Sequence, residues 1–327
     1  MYFRLAIAGA AATLMLSACS TQSDDPSAAS SPAEPVEDAG YQAPREFSGI
    51  AWLQTRPATD QDQEVFLVAH DLRDDEKEGQ LPRLSLVATP LDETGIQINP
   101  VEAEFPETAN DLESIARLPG RDAALLVESN ADGKDPTPSI YLATWDDDLK
   151  VQIDAQVPWP KTPEPLVNVE ASAVFSANDQ DWFLYAERAE DLGKTQIHMT
   201  KLKVGSDQSV TFGSQWRSVS FTPPVPQGAR PATAMDISTN GDVYVAAAVD
   251  PGDVGPFDSA VYRAAKLSTQ DNTVKLAGVS SPKPIGRSNG LKIEALALVD
   301  GKQPLFFGDD DEDYGGLLRQ LRTSSSQ

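Results

Sequence analysis

Three carboxylates recur in the same short setting. Glu113 lies in Asp111-Leu112-Glu113-Ser114-Ile115-Ala116, Glu170 in Asn168-Val169-Glu170-Ala171-Ser172-Ala173, and Glu294 in Lys292-Ile293-Glu294-Ala295-Leu296-Ala297. Two weaker copies put a hydroxyl at that place: Ser48 in Phe47-Ser48-Gly49-Ile50-Ala51 and Thr233 in Ala232-Thr233-Ala234-Met235-Asp236. The five positions are spaced by 65, 57, 63 and 61 residues. A second set follows them along the chain: His70 and Asp71, Glu128, Glu187, Asp250, and Asp309 to Asp311. Carboxylates brought together repel, and they take up protons, pair with cations or bind a metal. Calcium suits such a set, since it takes about six to eight oxygens in flexible geometry. The candidate calcium ligands are Glu113, Glu170, Glu294, Glu128, Asp309, Asp310 and Asp311. The competing use is structural, with each glutamate accepting hydrogen bonds from the amides of a neighbouring repeat.

A regular period near 60 residues calls for a repeated supersecondary unit. Each first segment leads into a polar turn such as Ser238-Thr239-Asn240-Gly241-Asp242 or Asp300-Gly301-Lys302. An apolar, β-branched or aromatic strand comes next: Val65–Ala69, Ala123–Val127, Trp182–Ala186, Val243–Ala248 and Pro304–Phe307. Third strands are expected at Ile140–Trp145, Gln196–Leu202 and Ala260–Leu267, and fourth strands at Ile96–Val101, Val151–Val157 and Ser209–Val219. Proline-bearing connectors close the units, among them Phe105-Pro106, Pro158-Trp159-Pro160 and Pro282-Lys283-Pro284. Proline cannot donate to a ladder, which suits a segment leaving a sheet. The pattern predicts an all-β chain folded as a β-propeller of five four-stranded blades over residues 47–327; six blades and a β-sandwich are the alternatives. The fifth repeat lacks an outer strand, and a segment near residues 40–46 would close the ring there and remove an exposed edge. First strands line the channel of such a fold, so Ser48, Glu113, Glu170, Thr233 and Glu294 would face one axis.

The repeated Asp-Leu-Glu-Ser-Ile-Ala type motif, with its copies at 168–173 and 292–297, resembles that of the bacterial phytase-like propellers, a family described as having esterase-like activity. That resemblance implies calcium held by acidic residues at blade starts and strand ends, carried here to Glu113, Glu170, Glu294, Glu128 and Asp309–Asp311. Ser48 and Thr233 depart from it, as does the count of five units against six in true phytases. No cluster of lysines and arginines that would receive a phosphate ester is visible along the chain.

The N-terminus supplies an address. Met1-Tyr2-Phe3-Arg4 precedes an apolar run ending Leu16-Ser17-Ala18-Cys19. This run is shorter than the ~20 residues a spanning helix needs and reads as a signal peptide over 1–18. Leu-Ser-Ala-Cys resembles the bacterial lipobox, which implies lipidation at Cys19, the only cysteine of the chain. Residues 19–46, rich in Ser, Ala, Pro, Asp and Glu, form the expected disordered tether. Ser20 after the anchor implies, within that lipoprotein class, an outer-membrane destination facing the periplasm or the cell surface. With a net charge of −24 the body repels nucleic-acid phosphates, so nucleic acid is excluded as a partner.

Other chemistries find little purchase. There is no Gly-x-Ser-x-Gly elbow and no phosphate-cradling glycine loop. His70 and His198 are expected at the surface or as fillers of the hub. Trp52, Trp145, Trp159, Trp182 and Trp216 are expected between blades. Glu128-Ser129-Asn130-Ala131-Asp132-Gly133 reads as a plain turn rather than half an EF-hand loop, and Gly308–Gly316 as an acidic loop. The reading is a membrane-anchored envelope module that binds a protein or small-molecule ligand, with calcium as a structural ion in the channel. Its rival is a calcium-dependent phosphoesterase using the hub carboxylates to hold metal.

Overall fold

The computed structural model describes residues 41–42 and 47–321, apart from 58, 60–61, 71–82, 90–97, 107–108, 130–137, 167, 189–192, 225–228, 250–256, 272 and 311–315. The expected signal peptide, Cys19 and nearly all of the expected tether lie outside these residues, as do Asp71, Asp250 and Asp311.

A short strand, β1 (Tyr41–Gln42), precedes the repeats. The first sheet holds β2 (Gly49–Arg56), β3 (Gln63–Ala69), β4 (Leu84–Ala88) and β5 (Ile98–Val101) in chain order. The second holds β6 (Leu112–Arg117), β7 (Ala123–Glu128), β8 (Ser139–Trp145) and β9 (Val151–Pro158). The third is built from β10 (Val169–Ala177), β11 (Gln180–Glu187) and β12 (Thr195–Val204), whose far edge takes both β13 (Val210–Phe212) and β14 (Arg217–Phe221). In the fourth, β15 (Ala229–Ile237), β16 (Asp242–Val249) and the long β17 (Asp258–Gln270) precede two edge strands, β18 (Thr273–Gly278) and β19 (Pro284–Asn289). The fifth has β20 (Lys292–Val299), β21 (Lys302–Asp310) and β22 (Gly316–Leu321), with β1 completing it.

Five antiparallel sheets are five blades, and the ring is closed. The innermost strands β2, β6, β10, β15 and β20 touch in that order, and β20 touches β2 again. Each seam between neighbouring blades has its own apolar cluster, so the core is shared between blades. Phe66, Val68 and Val87 of the first blade meet Ala295, Ala297 and Leu318 of the fifth. Leu126, Tyr141 and Trp145 of the second meet Leu53 and Leu67 of the first. Near-continuous burial along the inner strands, complete in β7, follows because successive side chains point to opposite faces and each blade shows an apolar face to both neighbours. Tyr41 opposite Leu318 and Gln42 opposite Leu317 tie the N-terminal side of the chain to its last strand. The expected closure near residues 40–46 is therefore a two-residue strand. Gly49 sits where β2 passes close to β6: a Cβ there would lie 3.0 Å from the backbone nitrogen of Ile115.

The structure departs from expectation at the edges of the third and fourth blades. The fourth strand expected over Ser209–Val219 is two strands, one on each half of β12. Pro284 opens β19 rather than lying in a connector, where a strand start tolerates the missing N–H. Both histidines are buried: His70 bonds Ser85 Oγ through Nε2 at 2.8 Å, and His198 stacks on Tyr185 at 4.8 Å. Neither is a surface residue.

Candidate functional site: the charged hub

The repeated carboxylates sit on β-bulges. Pairing of β6 with β7 skips Glu113, that of β10 with β11 skips Glu170, and that of β20 with β21 skips Glu294. In β15 the skip takes in Ala232 and Thr233, with Ala232 in the left-handed region at φ 66°. A bulge turns one residue out of the ladder's alternation. Repetition of the bulge explains why these positions recur in the sequence. The first blade differs: Ser48 precedes β2, whose own bulge falls near Leu53.

The hydroxyl positions do one job. Ser48 Oγ donates to the Leu112 carbonyl at 2.5 Å, and Thr233 Oγ1 donates to the Ile293 carbonyl at 2.5 Å. Each thus bonds the backbone of the next blade in the ring, one residue before that blade's glutamate. Ser114 and Ser172 join the second and third blades in a similar way at 2.8 Å.

The glutamates meet cations. Arg188, just beyond β11, places Nε 2.7 Å from Glu170 Oε1 and Nη1 4.0 Å from Glu294 Oε1. It spans from the third blade to the fifth, past the fourth, where the smaller Thr233 stands. Lys292 adds Nζ at 3.0 Å from Glu294 Oε1, and its side chain is only 5% exposed. Arg230 and Asp111 also act on Glu170 electrostatically. Burial is the larger effect all the same. It raises the Glu170 pKa to about 7, although Arg188, Lys292 and Arg230 all favour the ionised form. The cationic cluster not visible along the chain is assembled by folding, from residues 188, 230 and 292.

Glu128 serves another purpose. Its Oε1 accepts from the Asn110 N–H at 2.8 Å and the Tyr141 hydroxyl at 3.0 Å, and its Oε2 accepts from the Ser139 N–H at 2.6 Å. Burial raises its pKa in spite of these bonds. A carboxylate whose oxygens are occupied in this way pins the start of β8 and the approach to β6. Glu113 is buried at its bulge. Asp309 and Asp310 extend the backbone of β21, their side chains lying outside the described residues. Among the described residues, no three Asp, Glu, His or Cys side chains come together as a metal-binding group. Of the expected calcium set, Glu170 and Glu294 share Arg188, while Glu128 is tied to backbone amides.

The opposite end of the innermost strands carries a group that the repeat motif did not single out. Asp236, at the end of β15, accepts from its neighbour Ile237 N–H at 2.7 Å and from Leu298 N–H of the next blade at 2.6 Å. Burial lifts its pKa to about 6. Arg117, at the end of β6, donates to the Leu53 carbonyl at 3.1 Å and lies 4.8 Å from the Trp52 ring centroid. Burial lowers the Arg117 pKa, opposed by the attraction of Asp122, Asp300 and Asp236. The sequence signal was available, since Asp236 lies within one of the five aligned segments, three residues after Thr233.

No family model matches the chain, and no curated protein matches it in sequence. The resemblance to phytase-like propellers therefore stands on the short repeat alone. Solved structures with a similar chain path include glycoside hydrolases. The native arabinanase Arb43A of Bacillus subtilis has 13% identity and a TM-score of 0.47, over 86% of this chain and 96% of that one. An α-L-arabinofuranosidase of Lactobacillus brevis has 11% identity and a TM-score of 0.47, over 87% and 94%. A GH32 β-fructofuranosidase of Bombyx mori, BmSUC1, has 10% identity and a TM-score of 0.47, over 89% and 63%. Nothing about the chemistry of this chain follows from likeness at that level.

Proposed function

We propose that the chain is a lipid-anchored module of the bacterial cell envelope whose hub binds a polar ligand or partner. Cys19 would carry the lipid, and residues 20–46 would hold the propeller away from an outer membrane. The observation that supports a binding hub over a metal centre is the bridge from Arg188 to both Glu170 and Glu294. Carboxylates already answered by a guanidinium and an ammonium have little attraction left for calcium. A hub that mixes Arg188, Lys292, Glu170 and Glu294 suits a ligand presenting both acceptors and donors. The calcium-dependent phosphoesterase needs the opposite, with carboxylates open to metal ions that activate water.

Two measurements test this. Thermal melting with calcium and with a chelator, together with hydrolysis of a generic phosphate ester, should show the same midpoint and no turnover. Calcium-dependent turnover would overturn the binding reading in favour of the hydrolase, and a large calcium shift without turnover would return the ion to a structural role. Palmitate labelling that is lost in Cys19→Ser, with globomycin blocking maturation, tests the anchor separately.

A further inference from the structure

At the seam of the third and fourth blades, Trp182 is buried and its indole N–H meets no acceptor. The contrast with other tryptophans is plain. Trp52 donates to Glu64 at 2.6 Å, Trp159 to the Glu128 carbonyl at 3.3 Å, and Trp216 to the Lys161 carbonyl at 2.9 Å. A buried N–H without a partner is uncommon and calls for a physical reason.

Two cations crowd the same ring. Lys201, directly across from Trp182 in the β11–β12 ladder, holds Nζ 5.7 Å from the ring centroid, and Arg217 at the start of β14 holds Cζ 5.6 Å from it. Both side chains belong to exposed residues, and among the described residues no carboxylate forms an ion pair with either. Arg217 donates through Nη1 to the Val274 carbonyl of the neighbouring blade, which holds the guanidinium over the seam. Stacking on an aromatic face favours each cation, but it does not neutralise either.

This gathering runs against the charge of the molecule. Residues 47–193 hold ten Lys and Arg against thirty Asp and Glu, whereas residues 194–302 hold twelve against nine. Residues 194–302 therefore carry a small excess of cations in an otherwise acidic chain.

We propose that Trp182, Lys201 and Arg217 form a binding site for a tetrahedral oxyanion of the sulfate class. An ammonium, a guanidinium and an indole N–H are all donors and none is an acceptor, so the site selects anions over neutral polar ligands. Both side chains belong to exposed residues, and exposed side chains change rotamer quickly, so their donors can turn toward an anion seated beside the indole. The site is separate from the hub and does not rest on the hub's function.

The test uses the indole N–H signals of the full chain in 15N–1H correlation spectra, with sulfate exchanged for chloride at constant ionic strength. The Trp182 signal is identified by its loss in Trp182→Phe. It should move saturably with sulfate while those of Trp52 and Trp159 stay in place. The double variant Lys201→Gln, Arg217→Gln should weaken the response at least tenfold, and Lys201→Gln alone, which leaves the Arg217 bond to Val274 in place, should weaken it with an unchanged melting temperature. Dextran sulfate in place of the free ion distinguishes the sources: tighter response to the polymer assigns the site to polymer-borne sulfate, equal response to the free ion. A Trp182 signal that stays fixed, that moves equally in chloride, or that responds undiminished in the double variant overturns the proposal.

Discussion

The two ends of the propeller channel hold buried carboxylates by different means. At the end where the innermost strands begin, Glu170 and Glu294 are held by side-chain cations, with Arg188 reaching from one blade to another two places round the ring. At the end where those strands finish, Asp236 is held by backbone amides, with Arg117 contributing at longer range. In both cases burial wins over the partners and leaves the pKa raised, to about 7 for Glu170 and about 6 for Asp236. The lesson concerns replaceability. A backbone amide stays where the strand puts it, so the Asp236 end is a fixed joint between the fourth and fifth blades. A guanidinium at 2.7 Å from one acid and 4.0 Å from another is able to redistribute between them. On the proposed reading, ligand binding would belong at the end with side-chain partners.

The largest effect should come from Arg188→Met, which leaves Glu170 buried without its nearest cation. Removal of one member of a buried pair costs about 3–5 kcal/mol. Urea unfolding at pH 8 measures the loss, and adding Glu170→Gln to the same chain should recover most of it. A loss that persists in the double variant would mean Arg188 acts through packing rather than charge.

Asp236→Ala should be less costly. It removes the acceptor of two backbone amides, one of them in the next blade, for about 1–3 kcal/mol. Asp236→Asn, which keeps an acceptor, should recover part of that in the same unfolding measurement. An equal loss in both variants would show that the carboxylate's charge matters at this end too.

The pH dependence separates the two ends. A carboxyl whose folded pKa lies above its unfolded value adds stability that is complete below the unfolded pKa and lost as pH rises through the folded one. For Asp236 that window runs from about 4 to about 6, and for Glu170 from about 4.5 to about 7. The melting temperature should therefore fall between pH 5 and pH 8. Glu170→Gln should flatten the fall near neutrality, and Asp236→Asn the fall on the acid side. A wild-type melting curve flat across this range, unchanged by either variant, would contradict the burial argument.

The smallest effect belongs to the hydroxyl positions. Thr233→Val keeps the shape and removes one inter-blade bond to Ile293, a change of about 1 kcal/mol. Thr233→Glu is the sharper form of that experiment. It puts a third acid near Arg188, and a larger destabilisation than the valine change would indicate that the missing carboxylate in the fourth repeat leaves room for the bridge.

Much of the architecture was legible because period-2 strands and turn residues repeat about every 60 positions. The second strands lie where the apolar runs at Val65, Ala123, Trp182 and Val243 put them. The edges were harder to read, since an outer strand has one partner and weak patterning; Pro284 in β19 and the divided edge of β12 show this. The hub was legible as a set of positions, but its partners were not. Glu113, Glu170 and Glu294 share a bulge in their blades, but nothing in a local window says that Arg188, eighteen residues after Glu170, folds back beside it. The partners of Glu128 were hidden for the same reason: the Asn110 and Ser139 amides that occupy it belong to other segments.

By itself the amino-acid order decided the repeat, the β class, the acidic balance and the residues placed at each blade's start, since these depend on local periodicity and composition. Only the closed ring decided what those residues do. It brings Arg188, Lys292 and two glutamates from separate blades together, because side chains more than a hundred positions apart meet once the fifth blade packs against the first.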